Sequence, residues 1–322
     1  MDKPTNFLAK FLLFGCLLTT VLWLVFFVFL PPDYRDAFSI IYQKQAYLEK
    51  TQSPKVILLG GSNVLYGIDS ALLEQRLGRP VINIALQVGI PLTMQMNQIE
   101  AQLKPGDILL MSVEYDSYVL PDGSNSSLAR LLEVYPKGVG WLDPVNLKAL
   151  PDILKIMFQE KYNRVRSSTD YKWPSLAEIV NPGSQLPEAL IQLFSPQGDI
   201  LAHLDLPGKP ISAAPFFAYT QFNPRILDII TDIGQRAALK GATALLTFPS
   251  ARQTNCEASQ DTFAKLYDRL KRDLTLPIVG TPNRYCFPDI YFFDTSYHLL
   301  REGRRVRTLQ MVDDLQPYLN SR

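Results

Sequence analysis

Two short stretches near opposite ends of the chain hold residue types that could do nucleophilic chemistry. In "KVILLGGSNVLYGID", residues 55–69, a strand-like apolar run stops at Gly60, Gly61, Ser62 and Asn63. Glycines carry no Cβ, so the backbone there can turn tightly and approach a ligand. In open α/β sheets ligands bind beyond the carboxyl ends of the strands, where Ser62 would stand. Residues entering the next helical turn can also aim free N–H groups at a developing negative charge. Taken alone, the stretch still reads as an ordinary strand-to-helix turn capped by Ser62. It lacks the Lys of a phosphate-binding loop, and it is not the G-x-S-x-G elbow of α/β-hydrolases.

A nucleophilic serine needs a base, and the chain contains only two histidines, His203 and His298. His203 lies in "DILAHLDLPG", with Asp199 and Asp205 as its near acidic neighbours. His298 lies in "YFFDTSYHLLREGRRVRT", four residues after Asp294 and directly before a helical pattern. A carboxylate so close can hold one imidazole nitrogen and leave the other to accept a serine proton. A histidine satisfied by local backbone is the commoner fate. Here Asp294 ends an apolar run and Gly303 follows five residues on, which favours the catalytic reading.

These residues need a scaffold, and the pattern supplies one. "KVILLG", "PVINIAL" and "DILLMSVEY" read as strands, alternating with the short helices "DSALLEQRLG" and "PLTMQMNQIEAQLKPG". Asp69 or Ser70 caps the first of these helices and Gly78 stops it. The alternation resumes with helix over 223–240, the strand "ATALLTFP", helix over 257–273, the strand "LPIVG" and a closing helix over 299–319. Strands and helices in this order imply a mostly parallel sheet with helices on both faces, a three-layer α/β/α fold. Between the blocks, about 118–222 reads as an insertion over one end of the sheet, with seven prolines between 171 and 215. Its aromatics Tyr118, Tyr135, Trp141, Tyr171 and Trp173 are candidates for a carbohydrate-binding wall, and equally for a core.

Residues 11–30, "FLLFGCLLTTVLWLVFFVFL", carry no charge, and twenty such residues span a bilayer core of about 30 Å as a helix. "LPPDYRD" follows in place of a small-residue cleavage site, so an uncleaved membrane anchor is expected over 1–30, then a juxtamembrane linker over 31–53 and the α/β domain over 54–322. Basic residues flank both ends of the anchor, so charge does not set its orientation. Thirty-two basic and 31 acidic side chains, with no basic run, argue against a nucleic-acid partner. Two histidines and two cysteines outside the anchor leave no metal-ligand cluster, and no cofactor is expected. Cys256 and Cys286 are either a disulfide, which would mark an oxidising compartment, or two unrelated thiols.

An early Ser after the first strand and a late Asp–His pair leading into the last helix resemble the SGNH, or GDSL-like, hydrolase superfamily, over about 54–118 and 223–319. Within it the chain is similar to membrane-anchored extracytoplasmic proteins that move acyl groups on cell-envelope polymers, such as the alginate O-acetylation enzymes and the D-alanine transfer protein of teichoic acids. The resemblance implies a flavodoxin-like fold and Ser62 as nucleophile from "GGSN". It implies an oxyanion N–H from Gly89 in "NIALQVGI", beside which the Ser62 N–H is expected to act, and Asp294 and His298 from "DTSYH". It also implies an external domain, an acylated carbohydrate or envelope polymer as substrate, and a membrane acyl-donor protein as partner.

Three positions depart from the family pattern. The Asp that usually precedes the nucleophile is Gly61. The Asn expected to donate to the oxyanion is replaced by Glu114 in "MSVEYDS", where a carboxylate repels an oxyanion unless protonated or turned away; Asn63 is the substitute donor. The aspartate stands four residues before the histidine rather than three, with Asp289 as the fallback. The expected activity is that of an esterase or O-acyltransferase working through an acyl-Ser62 intermediate. The alternative is a catalytically silent scaffold or export accessory that keeps the fold.

Overall fold

The computed structural model describes residues 4–24, 32–34, 36–87, 89–167 and 186–319. Its central sheet is built from β1 (Val56–Gly60), β2 (Val81–Asn83), β3 (Ile108–Ser112) and β4 (Thr243–Thr247), in the order β2-β1-β3-β4 with every pairing parallel. All residues of β1, β2 and β3 are buried, as expected when apolar strands are covered on both faces.

The helices follow their local signals. After α1 (Pro4–Trp23) and α2 (Ile41–Lys50), α3 (Ser62–Gly67) begins directly beyond β1. In α4 (Ser70–Leu77) the Asp69 side chain accepts the Leu72 N–H, and Gly78 closes the helix at φ 65°. The remaining long helices are α5 (Leu92–Ile99), α6 (Asn125–Val134), α7 (Leu150–Ser167) and α8 (Arg225–Leu239). Then come α9 (Gln253–Ala258), α10 (Gln260–Asp273) and α11 (Arg301–Leu319).

The route from β1 to β2 runs one way along the sheet, and the route from β2 to β3 returns across β1. Right-handed crossovers in opposed directions put their helices on opposite faces. Accordingly α4 packs against α11, and α5 against α8. The reversal opens a crevice between the carboxyl ends of β1 and β3, which finish level because Gly60 pairs with Ser112.

Several expected elements are smaller or differently divided. "PVINIAL" is a strand only to Asn83, whose N–H leaves the ladder for Gln197 O at 2.8 Å. "LPIVG" contributes a single parallel bridge, Ile278 to Leu246, because Pro277 has no N–H to extend the ladder and can only accept from Leu246. The helix expected over 257–273 is two, broken at Ser259. A small parallel pair, β5 (Ala251–Arg252) with β6 (Cys286–Phe287), lies beyond β4, and Cys256 and Cys286 are joined as a disulfide across it.

The linker expected over 31–53 is in large part core. Phe38, Ile40, Ile41 and Leu48 are buried, and the buried Lys44 ammonium donates to Asn83 O and Ala85 O. The expected insertion is likewise woven into the domain, since Asp199 holds Ser70, Asn83 and Arg304. Of the anchor expected over 11–30, residues 25–30 lie outside the described residues. Among the described residues no helix is long and apolar enough to cross a membrane.

Because Leu48 is fully buried, Leu48→Ala is expected to lower the unfolding free energy by about 2–5 kcal/mol. A true linker position would cost nearly nothing. Chemical denaturation followed by tryptophan fluorescence measures the difference.

Candidate functional site

Ser62 opens α3 at the end of β1, and Glu114 follows β3 by two residues. The level finish of the two strands brings them together: the Ser62 hydroxyl donates to Glu114 Oε1 at 2.9 Å. The same oxygen accepts the Asn63 N–H at 2.8 Å and lies 3.4 Å from Asn63 Nδ2. Asn63 Nδ2 also donates to Ser112 O at 3.0 Å. The Asn63 donors therefore face Glu114 and the β3 backbone, which is not the presentation expected of an oxyanion donor. A Cβ on Gly61 would lie 2.9 Å from the Glu114 carboxyl carbon, so a side chain at 61 would require that carboxyl group to shift.

His298 arrives from the other end of the chain. Phe293 and His298 are joined by a backbone hydrogen bond of 2.9 Å, closing a tight loop with Asp294 inside it. His298 Nδ1–H donates to Asp294 Oδ1 at 2.7 Å, which fixes the tautomer and leaves Nε2 as the acceptor. The Asp289 carboxylate instead accepts from Arg252 Nη2 at 2.6 Å and from Thr254 Oγ1 at 2.8 Å.

The imidazole stacks on Tyr66, with ring centroids 3.9 Å apart and planes 9° from parallel. Tyr66 stands one helical turn beyond Ser62 on α3, and side chains at that spacing share a face. Burial holds the His298 pKa below its ordinary value although Asp294 opposes the shift, so the ring is a neutral base at pH 7. Ser62 and His298 line one cavity of about 580 Å³. The structure gives no hydrogen bond between them, and the Ser62 hydroxyl donates to Glu114 instead.

The cavity draws its other walls from several segments. Gln87 comes from the loop after β2, Asn255 from α9, and Tyr297 from the Asp294–His298 loop. Ser212, Ala214, Pro215 and Phe216 come from the expected insertion. Tyr297 Oη donates to Asp116 Oδ2 at 3.0 Å, and burial raises the pKa of that aspartate.

Gly89 lines a neighbouring cavity of about 400 Å³, which also reaches Gly61, Glu114 and Asp116. Its φ of +94° and the nearby Ser124 and Ser127 hydroxyls leave no room for a Cβ. Of the expected aromatic wall, Tyr118 and Tyr135 are buried in the core, with Tyr135 stacked on Trp141; Tyr171 and Trp173 lie outside the described residues. The aromatic rings at the site are Tyr66, Phe216 and Tyr297 instead.

No protein-family model matches the chain, and no curated protein matches it. Among solved structures it is similar to the protein YxiM from Bacillus subtilis, at 12% identity and a TM-score of 0.39. The similarity covers 84% of this chain and 58% of that one.

Arg307 has no counterpart in the sequence reading. It is fully buried on α11, and its guanidinium donates to Asn63 O at 2.6 Å, Asn63 Oδ1 at 3.1 Å, Ser112 Oγ at 3.1 Å and Phe248 O at 3.3 Å. Burial lowers its pKa to about 10, which still leaves it charged at pH 7. The available signal was spacing, since Gly303, Arg307 and Met311 repeat every four residues and all are buried.

His203 is a buried support behind the site. Its Nε2–H donates to Leu299 O at 2.8 Å, and its ring lies 4.7 Å from Tyr66 on the side of the sequence expected to be insertion. Burial lowers its pKa from 6.5 to about 4. Below pH 6.5 the unfolded chain takes up this proton while the folded chain resists it, so the contribution of His203 is lost as pH falls towards 4, by up to about 1.4 kcal/mol per pH unit. Glu114, Asp116 and Asp122, whose carboxyls burial pushes up, titrate with the opposite sign. The stability difference between wild type and His203→Gln is therefore the informative quantity. It is expected to shrink on acidification from pH 6.5 to 4, as measured by urea denaturation.

Proposed function

We propose that the chain is a membrane-anchored, extracytoplasmic serine esterase or O-acyltransferase of the SGNH kind, acting on an acylated carbohydrate or cell-envelope polymer. The observation that carries this reading is a shared cavity. Ser62 from the first strand and the Asp294-held His298 from before the last helix open onto it. The strand order, with the Ile278 bridge beside β4, is also what a flavodoxin-like member of that superfamily requires.

In the proposed reaction the Ser62 hydroxyl turns from Glu114 to His298 Nε2. Ser62 Oγ bonds to the acyl carbon as its proton passes to Nε2, and the carbonyl pair becomes an oxyanion. Collapse breaks the ester bond, and the leaving alkoxide takes the proton from Nε2. Water or a sugar hydroxyl then gives its proton to Nε2 as it attacks the acyl-Ser62; the acyl–Oγ bond breaks, Ser62 Oγ takes that proton back from Nε2, and a free acid or a new ester leaves. Asp294 keeps the imidazole oriented throughout and stabilises its charged form. Gly89, whose cavity meets this one at Glu114 and Asp116, supplies an N–H to the oxyanion in this reading.

The location rests on two features. The Cys256–Cys286 disulfide suits an oxidising compartment. Apolar side chains from Phe7 to Leu22 stand exposed along α1, as a lipid-facing helix would leave them. A membrane acyl-donor protein is the expected partner for transfer.

One observation favours a second reading, that of a catalytically silent scaffold or export accessory: the Ser62 hydroxyl donates to Glu114 and not to His298. The purified protein, incubated with a fluorophosphonate probe and with p-nitrophenyl acetate, separates the two. Ser62→Ala is expected to abolish labelling, and His298→Ala to lower turnover by about 10³-fold or more. Labelling equal in wild type and Ser62→Ala, with no turnover by either, would leave only the scaffold.

A further inference from the structure

Glu114 stands against the residue that the first strand exposes, and its two oxygens do different things. Oε1 accepts from the Ser62 hydroxyl and from the Asn63 N–H, with Asn63 Nδ2 close by. Oε2 makes no hydrogen bond among the described residues. The side chain is only 3% exposed, yet it lines both the cavity shared by Ser62 and His298 and the one that holds Gly89. What little of it is open therefore faces the space where an ester bound to Ser62 would lie.

We propose that Glu114 is a catalytic residue that works as a neutral carboxylic acid: Oε1 holds the Ser62–Asn63 turn, and the Oε2–H donates a hydrogen bond to the carbonyl oxygen of the bound acyl group. The proposal rests on the serine-esterase reading above. Oε2 is one carboxyl width from the oxygen that takes the Ser62 hydroxyl, so it borders the position of an acyl carbonyl attached to Oγ. The missing Cβ of Gly61 lets the carboxyl lie flat against the backbone just before the nucleophile. The Glu114 proton is not transferred, and no further reactant is needed.

The surroundings favour the neutral form. Burial raises the Glu114 pKa, and the neighbouring Asp116 carboxylate, on the same segment, pushes the same way. Three donors oppose this, the Ser62 hydroxyl, the Asn63 N–H and Asn63 Nδ2, all on Oε1. From the Asp294–His298 loop, Tyr297 faces the same region and gives its hydroxyl proton to Asp116. From α11 the Arg307 guanidinium meets Asn63 and Ser112 without a hydrogen bond to Glu114, and its charge opposes the neutral form. An ionised carboxylate would face the developing oxyanion and repel it, whereas an acid kept neutral by its site is a strong donor to it.

The test compares wild type, Glu114→Gln and Glu114→Ala in the full-length protein, with p-nitrophenyl acetate as the probe ester. Glu114→Ala removes the donor and is expected to lower kcat by about 10²–10³-fold, while Glu114→Gln keeps a neutral donor and loses about tenfold. The wild type is expected to lose kcat at alkaline pH as Glu114 ionises, and Glu114→Gln to lack that limb. Infrared difference spectra of wild type against Glu114→Gln at pH 7 are expected to contain a protonated-carboxyl stretch. Glu114→Gln as inactive as Ser62→Ala, in an active wild type, overturns the proposal by making Glu114 a base. A carboxylate band in place of the acid band overturns it independently of any turnover. Failure of the underlying esterase reading looks different, because then no variant and not the wild type shows Ser62-dependent turnover, whatever the infrared spectrum.

Discussion

The buried Arg307 guanidinium is the contact on which the site depends. It donates to Asn63 beyond β1, to Ser112 at the end of β3 and to Phe248 beyond β4. One side chain of the last helix thus ties together the carboxyl ends of three neighbouring strands. A buried charge needs most of its donors matched, as the two Nη groups of Arg307 are while its Nε has no partner among the described residues, and removing one partner of such a cluster commonly costs about 3–5 kcal/mol. The acceptors here are backbone carbonyls, a side-chain amide and a hydroxyl. Among the described residues no carboxylate bonds Arg307 directly, and Glu114 is linked to it through Asn63. The turn that carries Ser62 is therefore held from below by a cation and from the side by a carboxyl group.

Gly61 and Glu114 form a steric couple. A residue with a Cβ at 61 would collide with the carboxyl group, and without Glu114 the Ser62 hydroxyl and the Asn63 N–H would lose the acceptor they share. Gly61 and Glu114 are thus coupled positions. The hydrogen bond from Ser62 to Glu114 describes an arrangement in which the hydroxyl is satisfied. Catalysis in the proposed mechanism begins with a rotation of that hydroxyl, a small motion about one side-chain bond.

The opposite wall of the cavity is built with similar economy. Asn255 of α9 donates to Ala214 O at 2.7 Å and accepts from Ser296 Oγ at 3.0 Å, so one amide joins the insertion to the Asp294–His298 loop. Ser259, in the break between α9 and α10, accepts the Phe216 N–H at 3.1 Å. The disulfide holds α9 to β6, just ahead of that loop. Tyr66 then lies between His298 and His203 and carries the geometry back to α3.

Local sequence determined what depends on neighbours along the chain. Apolar runs marked β1, β3 and β4, Asp69 and Gly78 marked the ends of α4, and the interval from Asp294 to His298 suited a short carboxylate–imidazole contact. Such features follow from backbone preference and side-chain period, which a few residues suffice to encode. The tertiary structure alone decided that Ser62 meets Glu114, 52 residues away, and that Arg307 meets Asn63, 244 residues away. It also decided that the segment before the sheet is core rather than linker, and that "LPIVG" yields one bridge instead of a strand. Those outcomes hang on strand order, register and helix packing, and no local pattern in the sequence carries that information.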